Sequence, residues 1–477
     1  MSVPFVLDRR SSTPLHRQLY DAWRAGILDG RFRAGERVPS TRALAATYRV
    51  ARVTISAAYD QLLAEGYFEA KRGSGTFVSS ELPDRTLNPV RSGPVAGNRP
   101  PMVALSQYGS RLGQIQRLPP STASINLSNA SPDLTHFPFP LWRRLVSRHL
   151  RKPSVAGFER SGQPAGDPRL REALAAYLAR SRAVRCSPEQ VIVVSGSQQA
   201  LDLCARLLLD PGDEVAVEQP GYTAARQLFL AHGARLRAMP VTDDGASVDD
   251  LTSRTRLVHV TPSHQFPTGI SMSLPRRLAL AEWARTRSAV VLEDDYDSEY
   301  RYDGPPLPAM QSLAVGARVI YIGTFSNVMF RGLRVGYVVV PKDLVQPFTT
   351  ANWITDRHTT LLEQAALADF LEEGHLDRHI RRMRRLYKSR RDTMIDELQR
   401  RFGSDVSIRG DAAGMHMTVT FRAPHLVRAR AQSSGVHLAT TDIYYESKSV
   451  KNEFLIGFSA LGERTIREAI KRISEGS

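Results

Sequence analysis

The sequence predicts an α/β protein in two folded parts: a small helical head closed by a hairpin, and a large domain built on a mostly parallel sheet. Three observations predict it. Residues 12–79 keep helical apolar spacing and then break at Gly73-Ser74-Gly75. Residues 80–123 carry Pro83, Pro89, Pro94, Pro100, Pro101, Pro119 and Pro120 among Gly and Ser, the composition of a partly extended linker. From 124 to 474, β-rich runs such as Val191-Ile192-Val193-Val194, Glu214-Val215-Ala216-Val217 and Ala289-Val290-Val291-Leu292 alternate with helices, as in a parallel sheet covered on both faces.

At 477 residues and 42% apolar, the chain is long enough to bury large cores. A net charge of +16 suits an acidic partner, nucleic acid above all. Two cysteines, Cys186 and Cys204, make no disulfide framework, and the first ten residues lack a hydrophobic signal core. No apolar run approaches the ~18 residues of a membrane span. The expectation is a cytoplasmic protein with no membrane partner.

In the head, Leu19, Trp23 and Ile27 predict a first helix over Leu15–Asp29. Ser40 is a natural N-cap for a second helix reaching Thr47. A turn at 48–51 precedes a third helix, Val53–Glu65, stopped by Gly66. Tyr67–Ala70 and Gly75–Val78 then read as two strands around Lys71-Arg72-Gly73-Ser74. Helix, turn, helix and hairpin make a winged helix, whose second motif helix enters the major groove with side chains at base edges. Residues 1–80 hold twelve Lys/Arg against seven Asp/Glu, a net +5 (12 − 7). Arg42, Arg49 and Arg52 are expected at the starts of the motif helices, Thr54 and Ser56 on the recognition helix and Arg72 at the wing tip. Any one arginine reads equally well as a solvated surface residue; all four on this scaffold predict double-stranded DNA as partner.

The block from Pro14-Leu15-His16-Arg17-Gln18-Leu19-Tyr20 to Gly73-Ser74-Gly75-Thr76-Phe77-Val78 resembles the head of the GntR family. Gly35-Glu36-Arg37-Val38-Pro39-Ser40-Thr41-Arg42 and Leu62-Leu63-Ala64-Glu65-Gly66-Tyr67 carry the likeness.

In the large domain, Val193-Val194-Ser195-Gly196-Ser197-Gln198-Gln199 runs from a strand into a helix, whose free N–H groups suit a phosphate. Glu218-Gln219-Pro220-Gly221-Tyr222 leaves the next strand, and Tyr222 either stacks on an aromatic ring or fills core. Glu293-Asp294-Asp295-Tyr296-Asp297 ends another, where a carboxylate faces the ligand crevice and suits a protonated pyridine nitrogen. Thr324 and Arg334 offer a hydroxyl and a guanidinium to phosphate oxygens. Two long helices follow, near 360–373 and 375–402. The second carries Arg381, Arg382, Arg384, Arg385, Lys388, Arg390 and Arg391, read as a solvated face over buried Met383, Leu386 and Ile395, with a nucleic-acid surface as the alternative. An α+β tail from about 405 to 474 closes the domain.

Together with Thr261-Pro262-Ser263-His264-Gln265-Phe266-Pro267-Thr268-Gly269, these segments resemble the aminotransferase-like domain of MocR-type regulators within the GntR family, from about Ile125 to Ile473. The resemblance implies a fold-type I pyridoxal-phosphate transferase-like architecture, a large α/β domain with a small α+β C-terminal domain, and a homodimer. It implies Asp294 at the pyridine nitrogen, Tyr296 at the ring oxygen, Tyr222 stacked, and Ser197, Gln198, Thr324 and Arg334 on the phosphate of pyridoxal 5′-phosphate.

The family's Schiff-base lysine falls on Asn327, in Gly323-Thr324-Phe325-Ser326-Asn327. An amide is not a usable nucleophile and shuttles no proton, so no catalytic residue is assigned. Arg331 replaces a usual proline and Phe158 a common tyrosine, and Asn452–Phe458 holds no arginine for a substrate carboxylate. Either the pocket has drifted to another ligand, or it holds pyridoxal phosphate non-covalently, or asparagine stands at 327 by a replacement, natural or introduced. The expected function is a DNA-binding regulator whose silent transaminase-like body senses an unidentified small-molecule effector. The rivals are an active aminotransferase that also binds DNA, which Asn327 opposes, and a dimer whose body only supplies symmetry. No metal site is expected.

Overall fold

The computed structural model describes residues 6–71, 73–82, 103–115, 123–128, 130–151, 163–304, 307–446 and 452–475. The chain divides into two compact units between Val103 and Ala104. Among the described residues no helix is long and apolar enough to cross a membrane.

In the first unit, α1 (Leu15–Leu28) buries Leu19, Tyr20, Trp23 and Ile27, the face its apolar spacing marked. α2 (Thr41–Tyr48) begins at Ser40, whose Oγ accepts from the Ala43 N–H at 3.2 Å. α3 (Arg52–Ala64) follows, then the antiparallel pair β1 (Phe68–Lys71) and β2 (Gly75–Val78). Trp23 meets Phe68 edge-on at 5.3 Å, pinning the wing to the helices. Each element lies within a residue or so of its expected place.

The second unit starts inside the stretch expected to be linker. Ser106 caps a short helix, Gln107–Leu112, and Tyr108 from it packs against His232 at 5.0 Å. The proline-rich composition hid this docked turn, because its anchor is a distant ring rather than an apolar repeat of its own.

β3 (Ile125–Asn126), β4 (Val191–Val194), β5 (Glu214–Gln219), β6 (Arg235–Thr242), β7 (Gly245–Ala246), β8 (Thr255–Val260), β9 (Val290–Asp295), β10 (Arg318–Thr324) and β11 (Gly336–Val339) are joined mainly through helices. Eight of them form one sheet in the order β4-β11-β10-β9-β8-β5-β6-β7. Its centre is parallel, with β11 antiparallel to both neighbours and β7 antiparallel to β6. β11 reverses because only a short loop returns it from β10, too short for a parallel crossover. Alternate residues feed two cores. Val191, Val193, Tyr321 and Tyr337 face one, with the helices Pro168–Arg182 and Leu361–Glu372. Ile192, Val194, Ile320 and Ile322 face the other, with Ser197–Leu208 and Thr223–Ala231. Burial on both faces explains why these strands read as unbroken apolar runs.

β12 (Val406–Arg409), β13 (His416–Phe421), β14 (Val436–His437), β15 (Ala439–Thr440) and β16 (Glu453–Gly457) complete the strands. Four of these make a smaller sheet, β12-β13-β16-β15, while β14 pairs with β3. The helices His375–Phe402 and Glu463–Glu475 share its core through Met383, Tyr387, Ile466 and Ile470. The arginine row is not wholly solvated. Arg390 and Arg391 are buried and donate to Asp133 at 2.6 Å and Asp303 at 2.9 Å. Those acids lie far away in sequence, so the pattern on the helix alone gave no sign of them.

Candidate functional site

The winged helix exposes Arg42 in the first turn of α2 and Arg52 at the start of α3. Arg52 Nε donates to Thr41 Oγ1 at 3.3 Å, linking the two motif helices. Arg49 departs from expectation. It is the left-handed C-cap of α2 (φ 52°, ψ 48°), because α2 runs one residue further than its spacing indicated. Arg9 Nη2 holds the carbonyls of Tyr48 and Arg49 at 3.1 and 2.9 Å, leaving the Arg49 side chain exposed. Thr54 and Ser56 are half-buried, flanking a more open face made by Arg52, Val53, Ala57 and Asp60. Arg72 lies outside the described residues, as does Phe158. Sequence reading passed over Arg37, whose guanidinium lies so close to Gly75 that a Cβ there would sit 3.1 Å from its Nε. Among the described residues none of Arg37, Arg42, Arg49 and Arg52 has a carboxylate partner.

In the second unit the C-terminal ends of β4, β5, β8, β9 and β10 open on one side of the sheet, the usual place for a ligand in a parallel sheet. A cavity of about 540 Å³ lies there, lined by Ser197, Gln198, Tyr222, Asp294, Tyr296, Thr324 and Arg334 together with Asn327. All seven residues read as ligand-facing are thus brought together, from segments up to 137 positions apart (334 − 197). Among the described residues no lysine lines it.

Gly196 (φ 124°) sits at the N-cap of Ser197–Leu208, where a side chain is strained, and a Cβ there would be 3.3 Å from Arg334 Nη1. The guanidinium therefore lies against an open helix N-terminus, two positive features converging on one spot. Thr324 Oγ1 and Ser326 Oγ are 3.0 Å apart on the same rim. Asp294 is 5% exposed. Its Oδ2 is 3.4 Å from His259 Nε2, and its Oδ1 is buried without a partner among the described residues. A bare carboxylate oxygen in a cavity wall costs free energy until a donor meets it.

Asn327 is half-buried, and its Nδ2 donates to the Tyr296 carbonyl at 3.1 Å. Tyr296 Oη lies 3.1 Å from His264 Nδ1, which is 3.0 Å from both oxygens of Asp297; His264 Nε2 donates to the Gly410 carbonyl at 3.3 Å. Burial disfavours the charged imidazole, yet Asp297 outweighs it and holds His264 above the ordinary histidine range. His416 behaves oppositely: burial and the nearby His264 charge push it well down, and its Nε2 donates to the Pro267 carbonyl at 3.1 Å. Donor atoms of His264, Asp297 and His416 lie within 4.8 Å of one another. Both His264 nitrogens face acceptors, so this is a hydrogen-bonded ion pair beside a neutral histidine rather than an open metal-ligand set. Tyr222 meets Phe266 edge-on at 5.8 Å, and burial together with Asp294 pushes its hydroxyl up to about 12.

His259, His264, Asp297 and His416 were missed as site residues. His264 and Asp297 sit inside quoted motifs, but their pairing joins two loops and becomes visible only on folding.

The model of the bacterial regulatory proteins of the gntR family matches residues 15–78, and that of aminotransferase class I and II matches 124–473. The probable rhizopine catabolism regulatory protein MocR of Rhizobium meliloti is 40% identical, over 98% of this chain and 94% of its own length. The HTH-type pyridoxine biosynthesis transcriptional regulator PdxR of Corynebacterium glutamicum is 31% identical over 99% of this chain and 98% of its own. The kynurenine aminotransferase of Pyrococcus horikoshii, solved with PMP, is 30% identical over 78% of this chain and 94% of its own, with a TM-score of 0.68.

Proposed function

The chain belongs to the MocR-type branch of the GntR-family transcription regulators, with a winged-helix head and an aminotransferase class I and II body, and we propose that it is a homodimeric, cytoplasmic operator-binding regulator whose body senses a small effector through a catalytically silent pyridoxal-phosphate pocket. The observation that carries this reading is Asn327. It stands in a cavity furnished for the cofactor and commits its amide to the Tyr296 carbonyl, where a lysine would offer an amine.

The residues present fit the group. Arg334, Ser197, Gln198, Thr324 and the open helix end would hold the phosphate, and the unpartnered Asp294 Oδ1 would take the pyridine N–H. Tyr296 would meet the ring oxygen, positioned by the His264–Asp297 pair, and Tyr222 would stack on the ring. Pyridoxal phosphate, when bound, supplies an aldehyde and an electron-withdrawing ring. Asn327 neither attacks that aldehyde nor moves a proton, so the chain's own groups bind and orient without turnover. In the head, Arg37, Arg42, Arg49, Arg52 and Arg72 supply phosphate and base contacts, with Thr54 and Ser56 beside them.

Titrating the purified protein with pyridoxal phosphate, then dialysing, tests the reading. Absorbance should show saturable binding that dialysis removes, and borohydride should leave no adduct on the chain. An adduct mapped to the cavity, or transaminase turnover, overturns the silent pocket; no binding at all overturns the cofactor.

A further inference from the structure

Two guanidiniums line the cavity, Arg334 and Arg331, and neither has a carboxylate partner among the described residues. Arg334 lies against Gly196 and the helix N-terminus, the phosphate end in the reading above. Arg331 opens the 3-10 turn Arg331–Leu333, and its Nη2 has one long bond, 3.4 Å, to the Ala130 carbonyl. That contact places it beside the wall formed by Asn126, Ser128 and Ala130. Its charge reaches the Tyr222 hydroxyl, where it opposes the upward push of burial and Asp294. Phe266, Tyr444, Met415 and Leu455 add aromatic and apolar surface to the wall. Of the two carboxylates in the cavity, Asp297 is paired with His264, and the bare oxygen of Asp294 asks for a donor. A planar fork of N–H donors without an acid partner, on the wall of a cavity, is built for a carboxylate.

We infer that Arg331 is the anchor for a carboxylate on the effector. The inference rests on the reading that the Arg334 end takes the phosphate of pyridoxal phosphate. In that reading the two ends of the cavity divide the labour: Arg334 selects the cofactor phosphate, and Arg331 selects effectors carrying an acid. Leu455, on β16, offers no charge to compete for the same group.

Two stable probes differing only by a carboxylate test it: N-(5′-phosphopyridoxyl)-L-alanine and N-(5′-phosphopyridoxyl)ethylamine, each titrated calorimetrically into the full-length protein. The alanine conjugate should bind at least about tenfold tighter, the scale of a charged hydrogen bond. Arg331→Met should erase that preference and leave the ethylamine conjugate unchanged, while Arg331→Lys should keep part of it. Arg331 is exposed, so truncation removes no core; Arg331→Gln carries the same expectation as Arg331→Met should that variant not fold. Equal binding of the two probes by the wild type, or a preference that survives in Arg331→Met or Arg331→Gln, overturns the inference while the cofactor reading stands. Binding of neither probe overturns both.

Discussion

The head and the body place their candidate functional residues by opposite means. In the head, Arg37, Arg42, Arg49 and Arg52 fall within sixteen consecutive residues, stand exposed, and owe their positions to two short helices and a turn. In the body, the cavity draws Ser197, Tyr222, Asp294, Thr324 and Arg334 from the ends of separate strands, and its key carboxylate is buried. A surface that reads DNA needs exposed charge on a rigid local motif, because its partner brings its own shape and solvent-facing charge. A chamber for a small molecule needs groups stripped of water, which here the large sheet and its covering elements supply. The head should therefore tolerate change in the body, and the body should sense ligand with the head's arginines removed.

The largest expected effect lies at Asn327, where the family resemblance puts a Schiff-base lysine. Asn327→Lys should turn reversible pyridoxal-phosphate binding into a covalent link, seen as a new absorbance band that borohydride traps on Lys at 327, while operator binding by the head stays intact. A folded variant that binds the cofactor but gains no band would mean that the pocket around Arg331 and the arginine-free strand β16 holds the aldehyde out of reach.

Next comes the head. Arg52→Ala should cost ~1–3 kcal/mol of operator affinity if it meets a base edge, or flatten the salt slope by about one unit if it meets a phosphate. Pyridoxal-phosphate affinity should not move. Gel-shift or fluorescence titration at several salt concentrations reads both, and unchanged binding would remove Arg52 from the interface.

Smaller still is the cap of α2. Ser40→Ala should destabilise the head by about 1 kcal/mol through the lost Ala43 bond, with no change in the unfolding of the body. A calorimetric trace in which both transitions shift would show that the two regions are energetically joined.

The smallest effect is a pH dependence confined to the body. His264 is held above its ordinary value of about 6.5, so its stabilisation is complete below that value and is lost as pH rises through the folded value. His416 is pushed down, so its folded state resists protonation and stability is lost as pH falls below about 6.5. In the wild type the two trends oppose. His416→Gln should remove the acid-side loss and leave a body whose melting temperature falls with rising pH; a profile unchanged by that substitution would refute the assignment.

The sequence by itself determined much of this molecule. It specified the winged helix nearly to the residue, because Ser40, Gly66 and the Leu19-Trp23-Ile27 spacing act within a few positions of the structure they set. It also specified the sheet's apolar strands, and the family resemblance named seven of the residues that the structure brings to the cavity wall. The missing lysine needed no structure at all. What only the tertiary structure decided were the pairings: Asn327 to the Tyr296 carbonyl, His264 to Asp297, Arg390 to Asp133, the docked turn at Gln107–Leu112, and the lone guanidinium of Arg331. Most of these join segments that are distant along the chain, and their energies depend on burial, which no local pattern encodes. A motif states which groups are available; the fold decides which of them find partners, and so which are left to meet a ligand.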